Sequence, residues 1–284
     1  MISLKNSLLL KNIARFNLDA RISKIFFSVK GTSNRMGERI SVKAGHSPAT
    51  IDYRPYVAGD ALKDIDWKLT ARAGKTFVKI REGYRQTDFM IIIDASESMK
   101  TSYNDSEPSK FITALTLAYL VGRVAIKSRD RLYLLWQDEK IKIDSENNLL
   151  EVLGQLEKEK IVFNFWEKKF EPLANVFVIS DFFIEEDIFY NFLKNLSQAS
   201  KNLFFFAVKD LVEKNFSFKG RYHFLDPESP NFTLTETEAI EKKYQALYKN
   251  HYFYISKKSK EFGVKVGSVI NQTDPFLPFL QVMS

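Results

Sequence analysis

The stretch Phe89-Met90-Ile91-Ile92-Ile93-Asp94-Ala95-Ser96-Glu97-Ser98-Met99 decides how the chain is read. Five consecutive apolar residues, three of them isoleucine, are what a strand buried on both faces of a parallel sheet requires. The run stops at Asp94, and serines follow at the next two alternate positions, so one carboxylate and two hydroxyls leave the strand on one short loop. In open α/β sheets, loops at the carboxyl ends of strands are where ligands bind.

The same texture repeats downstream. Residues 111–126 are apolar almost all round, which predicts a deeply buried helix, opened by Ser106-Glu107-Pro108 as cap and early-turn proline. Strands are expected at 132–136, 175–180, 203–208 and 264–270, alternating with helices at 148–157, 185–196, 236–257 and from Pro275. That alternation predicts an α/β fold with a doubly wound, mostly parallel sheet over 87–284. The stretch 30–86 is instead rich in Gly, Ser and Thr, with short extended runs such as 76–80 and the turn Ala58-Gly59-Asp60, and predicts a small β-rich unit. The first 21 residues read as an amphipathic helix, with no small-residue cleavage site that would make them a secretory signal. The expected division is therefore 1–86, helix plus β-rich unit, and 87–284, the doubly wound domain.

Composition narrows the function classes. Cysteine is absent, which removes disulfides and thiolate metal sites and makes the cytoplasm the expected location. The apolar stretch 114–126 is broken by Gly122 and Arg123 and is too short for a membrane span. A net charge of +7 raises nucleic acid as a partner, but the lysines are interleaved with glutamates, as at 157–160 and 241–243, and read as solvated helix faces. His46, His223 and His251 stand in unlike contexts, and the glycines form neither a P-loop nor G-x-G-x-x-G, so catalytic signatures are weak.

The spacing Asp94-x-Ser96-x-Ser98 offers hard oxygen donors that suit magnesium with waters completing the shell. A second carboxylate, Asp181, ends the apolar run Phe177-Val178-Ile179-Ser180 and would stand beside the first if the two strands are neighbours. These residues resemble the metal-ion-dependent adhesion site of the von Willebrand factor A fold, which joins D-x-S-x-S to a threonine on a later loop and an aspartate after a later strand. Asp94, Ser96, Ser98 and Asp181 match it. The threonine does not, since none occurs between Leu117 and Phe232, and the segment 149–174 offers only Asn164 as a substitute. The alternative is that Asp94 and the serines only cap the following helix.

A further set of motifs lies upstream: Arg54-Pro55-Tyr56-Val57-Ala58-Gly59-Asp60 and Ile65-Asp66-Trp67-Lys68-Leu69-Thr70-Ala71-Arg72. With 37–43, the Asp94 loop, Ser180-Asp181 and Asp226-Pro227-Glu228, they are similar to the domain of unknown function 58 family over nearly the whole chain. The chain departs from that pattern at Ala61, where a second acid is usual, and at Lys63, near a usual arginine. The resemblance implies a non-enzymatic role in protein maturation or complex assembly. It also implies as partners a MoxR-type AAA+ ATPase and membrane proteins with von Willebrand factor A domains.

Two readings of the upstream motifs are open. Arg54, Asp60, Asp66 and Arg72 could form buried ion pairs with Trp67 as a core plug, Tyr56 and Gly59 shaping the turn. The same residues could instead form a partner-docking surface. For the whole protein the expectation is a binding module, with magnesium at Asp94, Ser96, Ser98 and Asp181; the alternative is a nucleic-acid-binding protein using its basic surface.

Overall fold

The computed structural model describes residues 7–22, 40–41, 50–81, 83–84, 87–103, 108–137, 139–159, 165–225 and 232–283. Asn164, Asp226-Pro227-Glu228 and most of 37–43, singled out from sequence, lie outside them. The chain forms two compact units, one of residues 31–86 and one of residues 1–30 with 87–284.

Helix α1 (Leu8–Arg15) belongs to the larger unit, not to the β-rich one with which the sequence grouped it. Its apolar stripe explains this: Leu9 and Ile13 are buried in the main core, and Ser7 caps the helix while donating to the Glu157 carboxylate at 2.5 Å.

In the smaller unit, β1 (Ile40–Ser41) pairs with β4 (Gly83–Tyr84), and β2 (Thr50–Pro55) pairs with β3 (Phe77–Arg81), both antiparallel. Between β2 and β3 the Ile65–Arg72 motif forms helix α2 (Trp67–Ala73), capped by Asp66 through the Lys68 and Leu69 amides and closed by Gly74 at φ 65°. Local capping chemistry there overrides the β-rich texture around it.

The larger unit is built on a six-stranded sheet. In chain order its elements are β5 (Asp88–Ile93), α3 (Glu97–Lys100), α4 (Lys110–Lys127), β6 (Arg131–Trp136), β7 (Glu139–Ile143), α5 (Glu146–Leu156), β8 (Leu173–Ser180), α6 (Glu186–Ala199) and β9 (Ser200–Lys209). Then come α7 (Leu211–Asn215), the hairpin β10 (Arg221–Leu225) with β11 (Phe232–Glu236), α8 (Thr237–Glu261), β12 (Lys265–Ile270) and α9 (Phe276–Met283). The sheet order is β12-β9-β8-β5-β6-β7, parallel except for β7, and helices flank it. The doubly wound, mostly parallel α/β architecture read from sequence is the one present.

The continuous apolar runs are buried as a two-sided sheet demands: Phe89 to Ile93 and Val176 to Ile179 are each at most 4% exposed. Each such side chain contributes about 1.5–3 kcal/mol relative to exposure. Helix α4 is the core's central rod, buried along nearly its whole length. It begins at Lys110 after Ser109, later than the expected cap at Ser106, and 104–107 lie outside the described residues.

Two elements were illegible. Strand β7 is an edge strand whose alternation Lys140-Ile141-Lys142-Ile143 keeps charges outward, the usual protection of a sheet edge. The β10–β11 hairpin stands where sequence gave only an irregular stretch. No helix among the described residues is long and apolar enough to cross a membrane.

Gly267 on β12 is a point of close approach: a Cβ there would lie 2.2 Å from Val282 Cγ2 of α9. Valine is stiff at χ1 and cannot swing aside freely. Gly267→Ala should cost about 1–3 kcal/mol of stability, and adding Val282→Ala should recover part of it, measured as paired thermal melts.

Candidate functional site at the carboxyl ends of the sheet

The register brings the predicted residues together. Strands β5 and β8 are parallel neighbours with Ile93 opposite Ile179, and the pairing runs one step further through Asp94 N–H donating to the Ile179 carbonyl at 2.9 Å. Asp94 and Asp181 therefore leave adjacent strand ends, and both are buried, 3% and 1% exposed.

A hydrogen-bonded chain joins the four side chains. Asp94 Oδ1 accepts from the Ser96 amide at 2.9 Å, the Ser96 and Ser98 hydroxyls are 3.1 Å apart, and Ser98 donates to Asp181 Oδ2 at 2.9 Å. Ser96 is the N-cap residue of α3, yet its hydroxyl makes no cap bond. The simple capping alternative therefore fails for Ser96, whose hydroxyl turns to Ser98 instead of to a helix amide. The other oxygen of Asp94 accepts from the Ser180 hydroxyl at 2.5 Å, while the Phe182 amide donates to Ser180 Oγ at 2.7 Å.

The residue after Asp181 is held in an uncommon conformation. Phe182 has φ 56°, a left-handed backbone that costs a bulky side chain on the order of 1–3 kcal/mol. Its ring is fully buried against Trp166, Phe189 and Phe205, and its carbonyl is bonded to His251 Nε2 at 2.7 Å. This kink turns the chain so that the Phe183 amide donates back to Asp181 Oδ1 at 3.1 Å.

Sequence reasoning missed Lys110. Its side chain is 1% exposed, and its ammonium donates to Asp181 Oδ2 at 2.8 Å and to Glu213 Oε1 at 2.5 Å. Burial works against that charge, but Asp181 and then Glu213 outweigh it and hold the pKa above the ordinary lysine value. The available signal was electrostatic: a lysine in the first turn of a buried helix opposes the helix dipole unless carboxylates stand in front of it. Glu213, on α7, is pushed up by burial and held down by Lys110. Its Oε1 also accepts from Tyr103 at 3.1 Å, and its Oε2 has no hydrogen-bond partner in the structure.

The pattern extends to the next two strands. Asp210 follows β9 and accepts from the Val212 amide and from Asn271, which follows β12. Asn271 also donates to the Pro108 carbonyl at 2.9 Å and accepts from Thr113 at 2.6 Å. Thr113 is thus spent on tying α4 to β12. From β12 to β5, four successive strand ends present Asn271, Asp210, Asp181 and Asp94, all buried.

Comparison with known proteins adds the family. The family model described as Protein of unknown function DUF58 matches residues 52–253. The chain belongs to this family. No curated protein matches the chain. A solved structure, the conserved hypothetical protein BatB from Bacteroides thetaiotaomicron, is similar with a TM-score of 0.39 and 14% identity, over 69% of this chain and 96% of that one.

The upstream family motif has its own geometry. Arg54 grips Asp60 in a bidentate pair at 2.8 and 2.6 Å, and Asp60 also accepts from the Val57 amide, closing the turn that Gly59 makes at φ 109°. Arg54 holds the Asp60 carboxyl below its ordinary pKa. Tyr56 donates its amide to the Thr76 carbonyl. Two expectations are corrected. Trp67 is 66% exposed and plugs no core, because its position at the start of α2 points outward; Arg72 is exposed as well. Asp66 pairs with Lys79 at 3.5 Å rather than with an arginine, and its main work is the helix cap.

Removing the Lys110 charge should be severe. Lys110→Met leaves Asp181 and Glu213 buried without their cation and should cost about 3–5 kcal/mol; adding Asp181→Asn and Glu213→Gln should return much of it, read by denaturant unfolding. Asp94 gives a pH test. Burial, then the Asp181 charge, raises its pKa from 3.8 to about 6. The folded state therefore binds this proton more tightly than the unfolded chain. The ionised form costs stability in full above pH 6, and the cost fades as pH falls from 6 towards 3.8. Without divalent ions, Asp94→Asn should stabilise the protein by about 1–3 kcal/mol at pH 8 and by almost nothing at pH 4.

Proposed function

We propose that this chain is a non-enzymatic protein-interaction module that works in the cytoplasm with a MoxR-type AAA+ ATPase in maturing or assembling other proteins. It docks its partner at the carboxyl ends of β5 and β8. The observation that carries the reading is that the Ser96 hydroxyl makes no cap bond to α3 and, with its amide on Asp94 and its hydroxyl on Ser98, joins Asp94 through Ser98 to Asp181. The ATPase, and membrane proteins with von Willebrand factor A domains, enter as partners through family membership.

Binding fits the groups better than turnover does. The Lys110 ammonium is paired twice, the opposite of the neutral, desolvated lysine that activates a serine nucleophile.

The residues also fit magnesium. Asp94 and Asp181 stand buried at adjacent strand ends with the Lys110 ammonium on Asp181 alone, so a cation there would offset carboxylate charge taken out of water. Asp94, Ser96, Ser98 and Asp181 would hold the ion, an all-oxygen set of the kind magnesium accepts. Bound there, it would supply a Lewis-acidic position that a carboxylate of the partner completes. Lys110 ties Asp181 to Glu213, so an ion bound there would share Asp181 with its ammonium.

Affinity capture of the tagged chain from native extract, with ATP turnover blocked, tests this. An AAA+ ATPase should be retained in magnesium, lost in EDTA, and regained when magnesium is restored. Asp94→Ala should lose retention by tenfold or more without unfolding. Retention indifferent to both EDTA and Asp94→Ala would remove the metal-dependent docking.

A further inference from the structure

Next to the acidic cluster, on the other side of Tyr252, lies a cleft of opposite charge. Its volume is about 460 Å³, and Lys209, Lys214, Lys249, Gln245, Tyr248 and Tyr252 line it. The Tyr252 hydroxyl donates to the Asp181 carbonyl at 3.0 Å, so one tyrosine separates the two sites. Among the described residues, none of the three lysines is in an ion pair, whereas Lys110 nearby is paired twice.

Lys209 is the informative one. It ends β9, is half-buried, and its ammonium lies over the Tyr252 ring at 3.6 Å from the centroid. Burial and then the Lys214 charge push its pKa down to about 8. An anion between the lysines would relieve both effects. The Tyr248 hydroxyl, in the same wall, is buried without a hydrogen-bond partner.

We propose that this cleft is a docking site for an acidic peptide segment of a partner protein, its carboxylates received by Lys209, Lys214 and Lys249. The tyrosine rings give the aliphatic stem of a glutamate an apolar wall. The Gln245 amide donates to the Asn215 carbonyl and the Glu241 carboxylate, leaving its own oxygen for a main-chain N–H of the peptide. A short acidic peptide suits the cleft better than a nucleic acid, because its basic lining is limited to three lysines and the neighbouring Asp181, Glu213 and Asp210 cluster has the same sign as a phosphate backbone. The proposal rests on the partner-binding reading above but uses other residues and no metal.

The test is fluorescence anisotropy of the full chain with a labelled hexaglutamate peptide, beside hexalysine and a single-stranded oligonucleotide. Hexaglutamate should bind, weaken with salt, and bind equally well in magnesium and in EDTA. Lys209→Met with Lys249→Met should weaken it tenfold or more at unchanged melting temperature, and Lys209→Arg should keep most of it. The cleft loses its assignment if hexaglutamate binds no better than hexalysine, if the double variant binds like the parent, or if the oligonucleotide binds more tightly than the peptide. Hexaglutamate binding that persists while ATPase capture ignores EDTA supports the cleft and removes only the metal reading.

Discussion

The parallel pairing of β5 with β8 is the constraint on which the rest depends. With Ile93 opposite Ile179, the two apolar runs end within one residue of each other, and the acids that follow have no choice but to be neighbours. A one-residue slip would turn every side chain to the other face of the sheet, so burial of both faces locks the register. The energy that fixes the site is therefore hydrophobic, supplied by side chains that take no part in its chemistry.

That arrangement creates a problem of charge. Two carboxylates at the edge of an apolar core repel each other and lose hydration, and the fold answers with the Lys110 ammonium, the serine hydroxyls and main-chain amides. The answer is incomplete, since burial and the Asp181 charge still push the Asp94 pKa up, and, among the described residues, none of the three lysines of the adjoining cleft is in an ion pair. Buried carboxylates thus lie on one side of Tyr252, and on the other a half-buried Lys209 with the exposed Lys214 and Lys249.

The smaller unit obeys a different logic. Its family motif is largely satisfied within itself: Arg54 with Asp60 across a glycine turn, Asp66 with the start of α2. Trp67, freed from any plug role, is a large aromatic held at a rigid helix start and open to solvent. Of the two readings of this motif, Arg54 and Asp60 do pair, but with the Arg54 side chain 41% exposed rather than buried, and Trp67 and Arg72 are exposed.

The linear chain was enough to determine the five parallel strands, the central helix and the acids after β5 and β8, because these follow from short-range patterns: apolar runs stopped by Asp94 and Asp181, and a helix apolar on almost every side. Asp210 and Asn271 repeat that pattern after Phe206-Ala207-Val208-Lys209 and Val269-Ile270, and were legible in the same way. Tertiary structure alone decided what neutralises them. Lys110 reads as one more surface lysine until α4 carries it in front of Asp181, 71 residues later in the chain, and α7 brings up Glu213. Likewise Trp67 reads as core though it is exposed, and Lys209 as solvated charge though the fold half-buries it over Tyr252, because a sequence shows residue type but not where packing leaves water or removes it.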